Sequence, residues 1–316
     1  MITCEAEPVI SVRPTKDARV GGYRLNTSEN EMTPLLRFLV NPSAVVNLRL
    51  VDPDYHGAYP TRESAIPENR FYAHKLDELQ YVMHAEKKHS LLVIFQSIDA
   101  GGKDGVIRHI LTAMNPAGCR VIEFKQPTAL ELGHDFLWRV HAHAPMKGAI
   151  AIFNRSHYED VLTVRVNRLV APNLWSNRYD LINDFERLLI TDNNTTILKF
   201  FLHISKEEQL SRFKQRLEDP SRRWKISECD YTERARWSHY TIAFEDMLAS
   251  TSTREAPWFI IPANNRWYRD LVVTQIIAQT LEKLDMRLPE PAVDITRIRH
   301  QYYVAEKRAR QDKDLP

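Results

Sequence analysis

The run Leu91-Leu92-Val93-Ile94-Phe95 is followed within ten positions by Gly101, Gly102 and Gly105, three of the chain's nine glycines. A short apolar run bounded by turn residues reads as a buried strand. Val106-Ile107-x-x-Ile110-Leu111 beyond it reads as a helix. Strand, glycine turn and helix together form a geometry that closes backbone N–H groups on an anion at a helix N-terminus. This one feature predicts an α/β chain with an anion-binding loop.

The remaining pattern agrees. Val121 to Phe124, Ala149 to Phe153, Ile197 to Ile204 and Trp258 to Ile261 read as further short buried strands. Helical patterns separate them at Leu130 to His141, Tyr179 to Ile190, Glu207 to Leu217, Tyr231 to Ala249 and Tyr268 to Leu284. Thr128-x-x-Glu131 and Ser205-x-x-Glu208 have the form of capping boxes. Five strands alternating with helices predict a parallel sheet covered on both faces. Residues 86–286 hold this domain, with a lid at about 205–228. Residues 1–85 form an N-terminal extension ending in a helix from Phe71 to His89, and 287–316 a charged C-terminal tail.

Composition excludes several classes. With 43 basic and 41 acidic side chains the chain is no bulk polyanion binder, although a local basic groove remains open. Three scattered cysteines rule out a disulfide framework and a cysteine zinc site, and fit a reducing compartment. No secretory leader is readable, and no apolar run approaches the ~20 residues of a membrane span. The expected location is cytoplasmic.

The loop reads Ser97-Ile98-Asp99-Ala100-Gly101-Gly102-Lys103-Asp104-Gly105. Against G-x-x-x-x-G-K-[ST], Gly102-Lys103 fits, Ser97 replaces the first glycine and Asp104 replaces the metal-binding hydroxyl. Asp99 is the candidate substitute ligand. A tight turn carrying a surface lysine is the plainer alternative. The run Gly148 to Asp160 ends a strand in polar residues, where open α/β sheets bind ligands. There Arg155 is a candidate phosphate clamp, and Glu159 or Asp160 candidate metal ligands; a solvated strand end is the alternative. Between Ser211 and Lys225, six cations (Arg212, Lys214, Arg216, Arg222, Arg223, Lys225) face two carboxylates. Arg212 and Arg216 share a helix face before Asp219-Pro220 turns the chain. A basic solvated helix face competes here with a lid that holds a polyanion. His141-x-His143, with His134 nearby, lacks the spacing of a helical metal pair, and Trp258, Trp267 and Tyr268 read as packing residues.

Taken in order, the Ile98-to-Gly105 loop, Phe153 to Asp160, His134 to Arg139, Phe200 to Trp224 and Ala256-Pro257-Trp258 through Trp267-Tyr268-Arg269 resemble the polyphosphate kinase 2 family. The likeness runs from about Glu86 to Leu284. It implies a nucleoside-monophosphate-kinase-like P-loop fold, with a parallel five-stranded sheet flanked by helices and a helical lid. The implied reaction moves phosphoryl groups reversibly between inorganic polyphosphate and nucleotides, with Mg²⁺ (or Mn²⁺). By position, Asp99, Lys103 and Arg155 fall on the catalytic residues. Ala100, Gly101, Gly102, Asp104, Gly105, Asn154, Arg212, Arg216, Arg222, Arg223 and Lys225 are expected to bind polyphosphate or nucleotide, and Asp99, Glu159 and Asp160 the metal. Asn154 stands where many members have aspartate, a form resembling the branch that phosphorylates both AMP and ADP. Gly101 stands where alanine is usual, a departure expected to be tolerated. The resemblance implies a homo-oligomer acting on polyphosphate and adenine or other purine nucleotides, with no nucleic-acid or membrane partner. An ATP-dependent nucleoside or nucleotide kinase, or a non-catalytic polyphosphate-binding protein, are the competing readings.

Overall fold

The computed structural model describes residues 34–313 and a two-residue strand pair at Arg19–Val20 and Tyr23–Arg24. The chain divides into two units, Met1–Met286 and Arg287–Pro316. The first is built on five parallel strands: β1 (Ser90–Gln96), β2 (Cys119–Glu123), β3 (Ile150–Asn154), β4 (Thr195–His203) and β5 (Trp258–Pro262). Their order is β2-β3-β1-β4-β5, with β1 at the centre. Every residue of β1 is buried, as a strand covered on both faces requires.

One face is covered by α1 (Arg62–Glu86), α2 (Lys103–Leu111) and α8 (Arg266–Glu282), through Leu76, Met83, Ile107, Val273 and Ile277. The other is covered by α3 (Glu159–Val166), α4 (Pro172–Asn193) and α7 (Trp237–Thr251), through Val161, Ile182, Phe185 and Met247. Between β4 and α7 lie α5 (Lys206–Glu218) and α6 (Glu228–Ala235). Phe38 and Val40 bond the backbone of β5 through Ile260 N→Phe38 O and Val40 N→Trp258 O, both 2.8 Å. The edge strand is thereby covered.

Several element boundaries differ from the sequence pattern. α1 starts at Arg62 rather than Phe71, because Thr61 and Ser64 form a reciprocal cap, and it runs on through Pro67. The predicted helix from Leu130 to His141 is instead two single turns, Ala129–Leu132 and Trp138–His141. Gly133 and the Asp135 carboxylate, which accepts from Leu137 N at 3.0 Å, interrupt it. The helix predicted over Tyr231 to Ala249 breaks at Arg236, giving α6 and α7. Thr128 forms its capping box, whereas Ser205 caps Glu208 N while the Glu208 carboxylate turns to Arg212. His141 and His143 stand edge-on to Phe185 and Phe124, as packing residues do.

The second unit contains α9 (Ile295–Lys313), opened by the Asp294 carboxylate accepting from Thr296 N and Arg297 N. The charged tail is thus helical over most of its length. Among the described residues no helix is long and apolar enough to cross a membrane.

Candidate active site

Parallel register brings the chemistry together. Phe95 of β1 is level with Asn154 of β3 and Phe200 of β4, so the chain leaves β1 and β3 side by side at the C-terminal edge of the sheet. Arg155 N then donates to Phe95 O at 3.2 Å. The loop between β1 and α2 turns through Ala100 (φ 61°) and Gly102 (φ 101°), both left-handed. At Gly102 a Cβ would collide with the Arg269 guanidinium. At Gly101 it would collide with the Ser97 side chain and approach Ile98 O to 2.9 Å. Glycine at 101 leaves that space to the Ser97 side chain.

Three side chains brace the loop by its carbonyl groups. Gln209 Nε2 donates to Asp99 O at 2.9 Å, Arg212 Nη1 to Ala100 O at 2.9 Å and Arg269 Nη1 to Gly102 O at 3.1 Å. Arg212 and Arg269 are almost wholly buried. Arg212 also donates to Ala263 O (2.5 Å), Asn264 O (3.2 Å) and Glu208 Oε1 (2.6 Å). Burial lowers its guanidinium pKa, against the opposing Glu208 carboxylate. Arg212 thus holds the loop from beneath. Sequence reading missed Gln209 and Arg269; the available signals were a shared face with Arg212 and an arginine inside an apolar helix.

Lys103 opens α2 and folds back, its Nζ donating to Ser97 Oγ (2.9 Å) and Ser97 O (3.3 Å). Burial, and then the Arg155 charge, lower its pKa against the carboxylates of Asp99, Glu159 and Asp104. Arg155, itself left-handed at φ 60°, reaches Asp99 Oδ1 with Nη2 at 3.1 Å. Asn154 Nδ2 donates to Asp104 Oδ1 at 3.0 Å, and Lys225 Nζ to Asp104 Oδ2 at 2.6 Å. Partial burial works to raise the Asp104 carboxyl, but the Lys225 and Asn154 hydrogen bonds outweigh it and hold the pKa low.

The cations of the 211–225 stretch separate into different roles. Arg216 Nη1 contacts Asp230 Oδ2 at 3.2 Å and Lys225 O at 3.4 Å, bracing the arm internally. Arg223 Nε caps Leu217 O, while Arg222 pairs with Asp219 at 2.9 Å; both arginines are exposed. Asp160, expected as a metal ligand, holds its carboxylate between Arg139 (3.6 Å) and Arg178 (3.5 Å), two cations that compete with a metal for it.

Asp99 and Glu159 remain as candidate metal ligands. Glu159 Oε2 accepts from Thr163 at 2.6 Å, and with the Gln96 amide oriented to satisfy both neighbours its nitrogen reaches Oε1 at 3.0 Å. Among the described residues no three His, Cys, Asp or Glu side chains gather as a metal cage. Two carboxylates completed by substrate phosphate and water suit Mg²⁺, which rarely takes an all-protein cage.

A sequence profile described as polyphosphate kinase 2 matches residues 62–289, well over half of the chain. The chain belongs to the polyphosphate kinase 2 family. It is 46% identical over 256 residues to the AMP/ADP-polyphosphate phosphotransferase of Meiothermus ruber, covering 81% of this chain and 96% of that protein. It is 42% identical over 254 residues to the ADP-polyphosphate phosphotransferase of Rhodopseudomonas palustris, covering 74% and 88%. The crystal structure of polyphosphate kinase 2 from Arthrobacter aurescens TC1 superposes with a TM-score of 0.82 at 37% identity, covering 86% and 96%. At the C-terminal end of α3 this polyphosphate kinase 2 has a cleft of about 440 Å³. Arg165, Arg168 and Arg236 line it, with Val166 and Ile242 supplying apolar wall.

Proposed function

We infer that this polyphosphate kinase 2 transfers the terminal phosphoryl group of inorganic polyphosphate to AMP and ADP, reversibly. The observation that carries the reading is the convergence of Asp99, Lys103 and Arg155 where β1 and β3 end. The names of the Meiothermus and Rhodopseudomonas relatives supply the substrate class.

The acceptor oxygen belongs to a nucleotide phosphate and is already anionic near neutral pH, so no general base is required. It forms a bond to the terminal phosphorus of polyphosphate as that phosphorus loses its bond to the next bridging oxygen. The shortened chain departs as the leaving group. What the site must supply is alignment and positive charge around the transferring group. Lys103 provides a point charge over the loop. Arg155 provides a guanidinium oriented by Asp99. Asp99 and Glu159 would hold Mg²⁺, which when bound neutralises phosphate charge. The 205–228 segment acts as a lid, with Lys225 docked on Asp104, and the exposed Arg222 and Arg223 face the polyanion. The arginine-lined cleft at the end of α3 supports an anionic substrate lying along that helix. Free thiols at Cys119 and Cys229 favour a reducing, cytoplasmic setting.

The test is donor choice. Purified protein with Mg²⁺ and AMP or ADP is given long-chain polyphosphate or, with AMP, ATP as sole donor, and the nucleotides are separated by ion exchange. The reading expects polyphosphate to drive both acceptors. Turnover with ATP alone, and none with polyphosphate, would return the ATP-dependent kinase reading.

A further inference from the structure

Lys199 lies at the middle of β4 between Leu198 and Phe200, with its side chain fully buried. A charge in such a place is tolerated only when it is paired and its protons find acceptors. All three do here. Nζ donates to Glu186 Oε2 (2.6 Å), Thr251 O (2.7 Å) and Tyr158 Oη (3.0 Å). Tyr158 Oη donates onward to Glu186 Oε1 at 2.7 Å, closing a ring, and His157 Nε2 lies 3.4 Å from the same oxygen. Thr251 is the last residue of α7, where helix carbonyls favour a cation.

A buried ion network of this kind is weak evidence of added stability. Apolar side chains of similar volume often replace a buried ion pair with no loss of stability. Its position suggests another purpose. Tyr158 stands three residues after Arg155, and Ser156, His157 and Tyr158 are all fully buried. Tyr158 N donates to Ser156 Oγ at 3.2 Å, and Arg155 N is fixed on Phe95 O. Arg155 is thus a non-glycine residue in a sparsely populated conformation, bracketed on both sides by buried contacts. Such a conformation persists when its surroundings over-determine it.

We propose that Lys199, Glu186 and Tyr158 form a buried positioning unit. It fixes the Ser156–Tyr158 segment and so keeps Arg155 in its left-handed turn against Asp99. The inference rests on the role given to Arg155 above. No member of the unit touches substrate.

The test replaces both charges together, as Lys199→Met/Glu186→Met, so that no unpaired charge is left buried. Tyr158→Phe serves as a milder second variant that removes only the hydroxyl. The expected result for the double variant is a native circular dichroism spectrum with kcat reduced about tenfold or more. KM for polyphosphate should stay within about twofold of wild type. In an Arg155→Ala background the same two replacements should change kcat by less than about twofold, because the group they position is gone. Full turnover in the double variant, or a loss that multiplies undiminished with Arg155→Ala, would overturn the proposal. If the double variant does not fold, Tyr158→Phe carries the same comparison: a kcat loss that vanishes in the Arg155→Ala background supports it, and unchanged kcat overturns it. A fully active Arg155→Ala variant would remove the underlying assignment, and the inference with it.

Discussion

Arg212→Met separates two ways of reading the basic stretch of the lid. From charge alone, Arg212 counts among the groups that hold polyphosphate. In the fold it is buried and donates to Ala100 O, Ala263 O and Asn264 O as well as to Glu208. Methionine keeps much of the volume and leaves three carbonyl groups without that donor. The Glu208 side chain is 23% exposed and regains water, so its ion pair adds little to the loss. Hydrogen bonds from a charged donor are worth about 1.5–3 kcal/mol each but are not additive, which gives a destabilisation of about 3–5 kcal/mol. For a domain of this size that corresponds to a fall in Tm of about 6–15 °C, read by differential scanning fluorimetry. Loosening the loop should also lower kcat about tenfold with both nucleotide and polyphosphate saturating. An unchanged Tm with a selective rise in KM for polyphosphate would refute this reasoning and return Arg212 to the substrate.

Arg155→Ala should leave Tm within about 2 °C of wild type, since a partly exposed ion pair adds little stability. Its kcat should fall about 10²–10³-fold, as removal of a transition-state donor does, measured by coupled ATP formation. Asp160→Asn should lower Tm by disturbing the Arg139 and Arg178 pairs without changing the Mg²⁺ concentration for half-maximal rate, whereas Asp99→Asn should raise that concentration; the reverse assignment would restore Asp160 as a ligand. Burial lowers the Lys103 pKa, and the charged form is the useful one, so rate should fall as pH rises. In a pH–rate profile, Lys103→Arg should shift that alkaline limb upward if it retains activity, and an unmoved limb would assign it elsewhere. Burial raises the Cys119 thiol to about 11, so at pH 8 only roughly a thousandth is thiolate. Iodoacetamide should therefore label exposed Cys229 before Cys119, as read by peptide mass mapping.

The strands and the glycine loop were legible because each is a local signal: short buried runs and residues that permit left-handed backbone. What the pattern concealed was long-range pairing. Arg269 lies 167 residues from the Gly102 carbonyl it braces, and no local spacing connects them. Asp160 looked like a ligand by adjacency to Glu159. On α3, however, successive side chains point in different directions, and Arg139 and Arg178 capture it. Charge counting likewise treated the lid arginines as alike, although burial divides Arg212 from Arg222 and Arg223. Helix limits at Arg62 and Arg236 depended on the Thr61–Ser64 cap and on a backbone break inside a continuous helical pattern.

The central claim is that polyphosphate itself is the phosphoryl donor and that Lys103 serves the transfer. ³¹P NMR of protein, Mg²⁺, ADP and short-chain polyphosphate follows donor and product together. The account predicts one new ATP for each phosphoryl group lost from polyphosphate, with no matching release of free phosphate, and loss of both changes in Lys103→Ala. Polyphosphate shortening that yields only free phosphate, or ATP formation undiminished in Lys103→Ala, would contradict it.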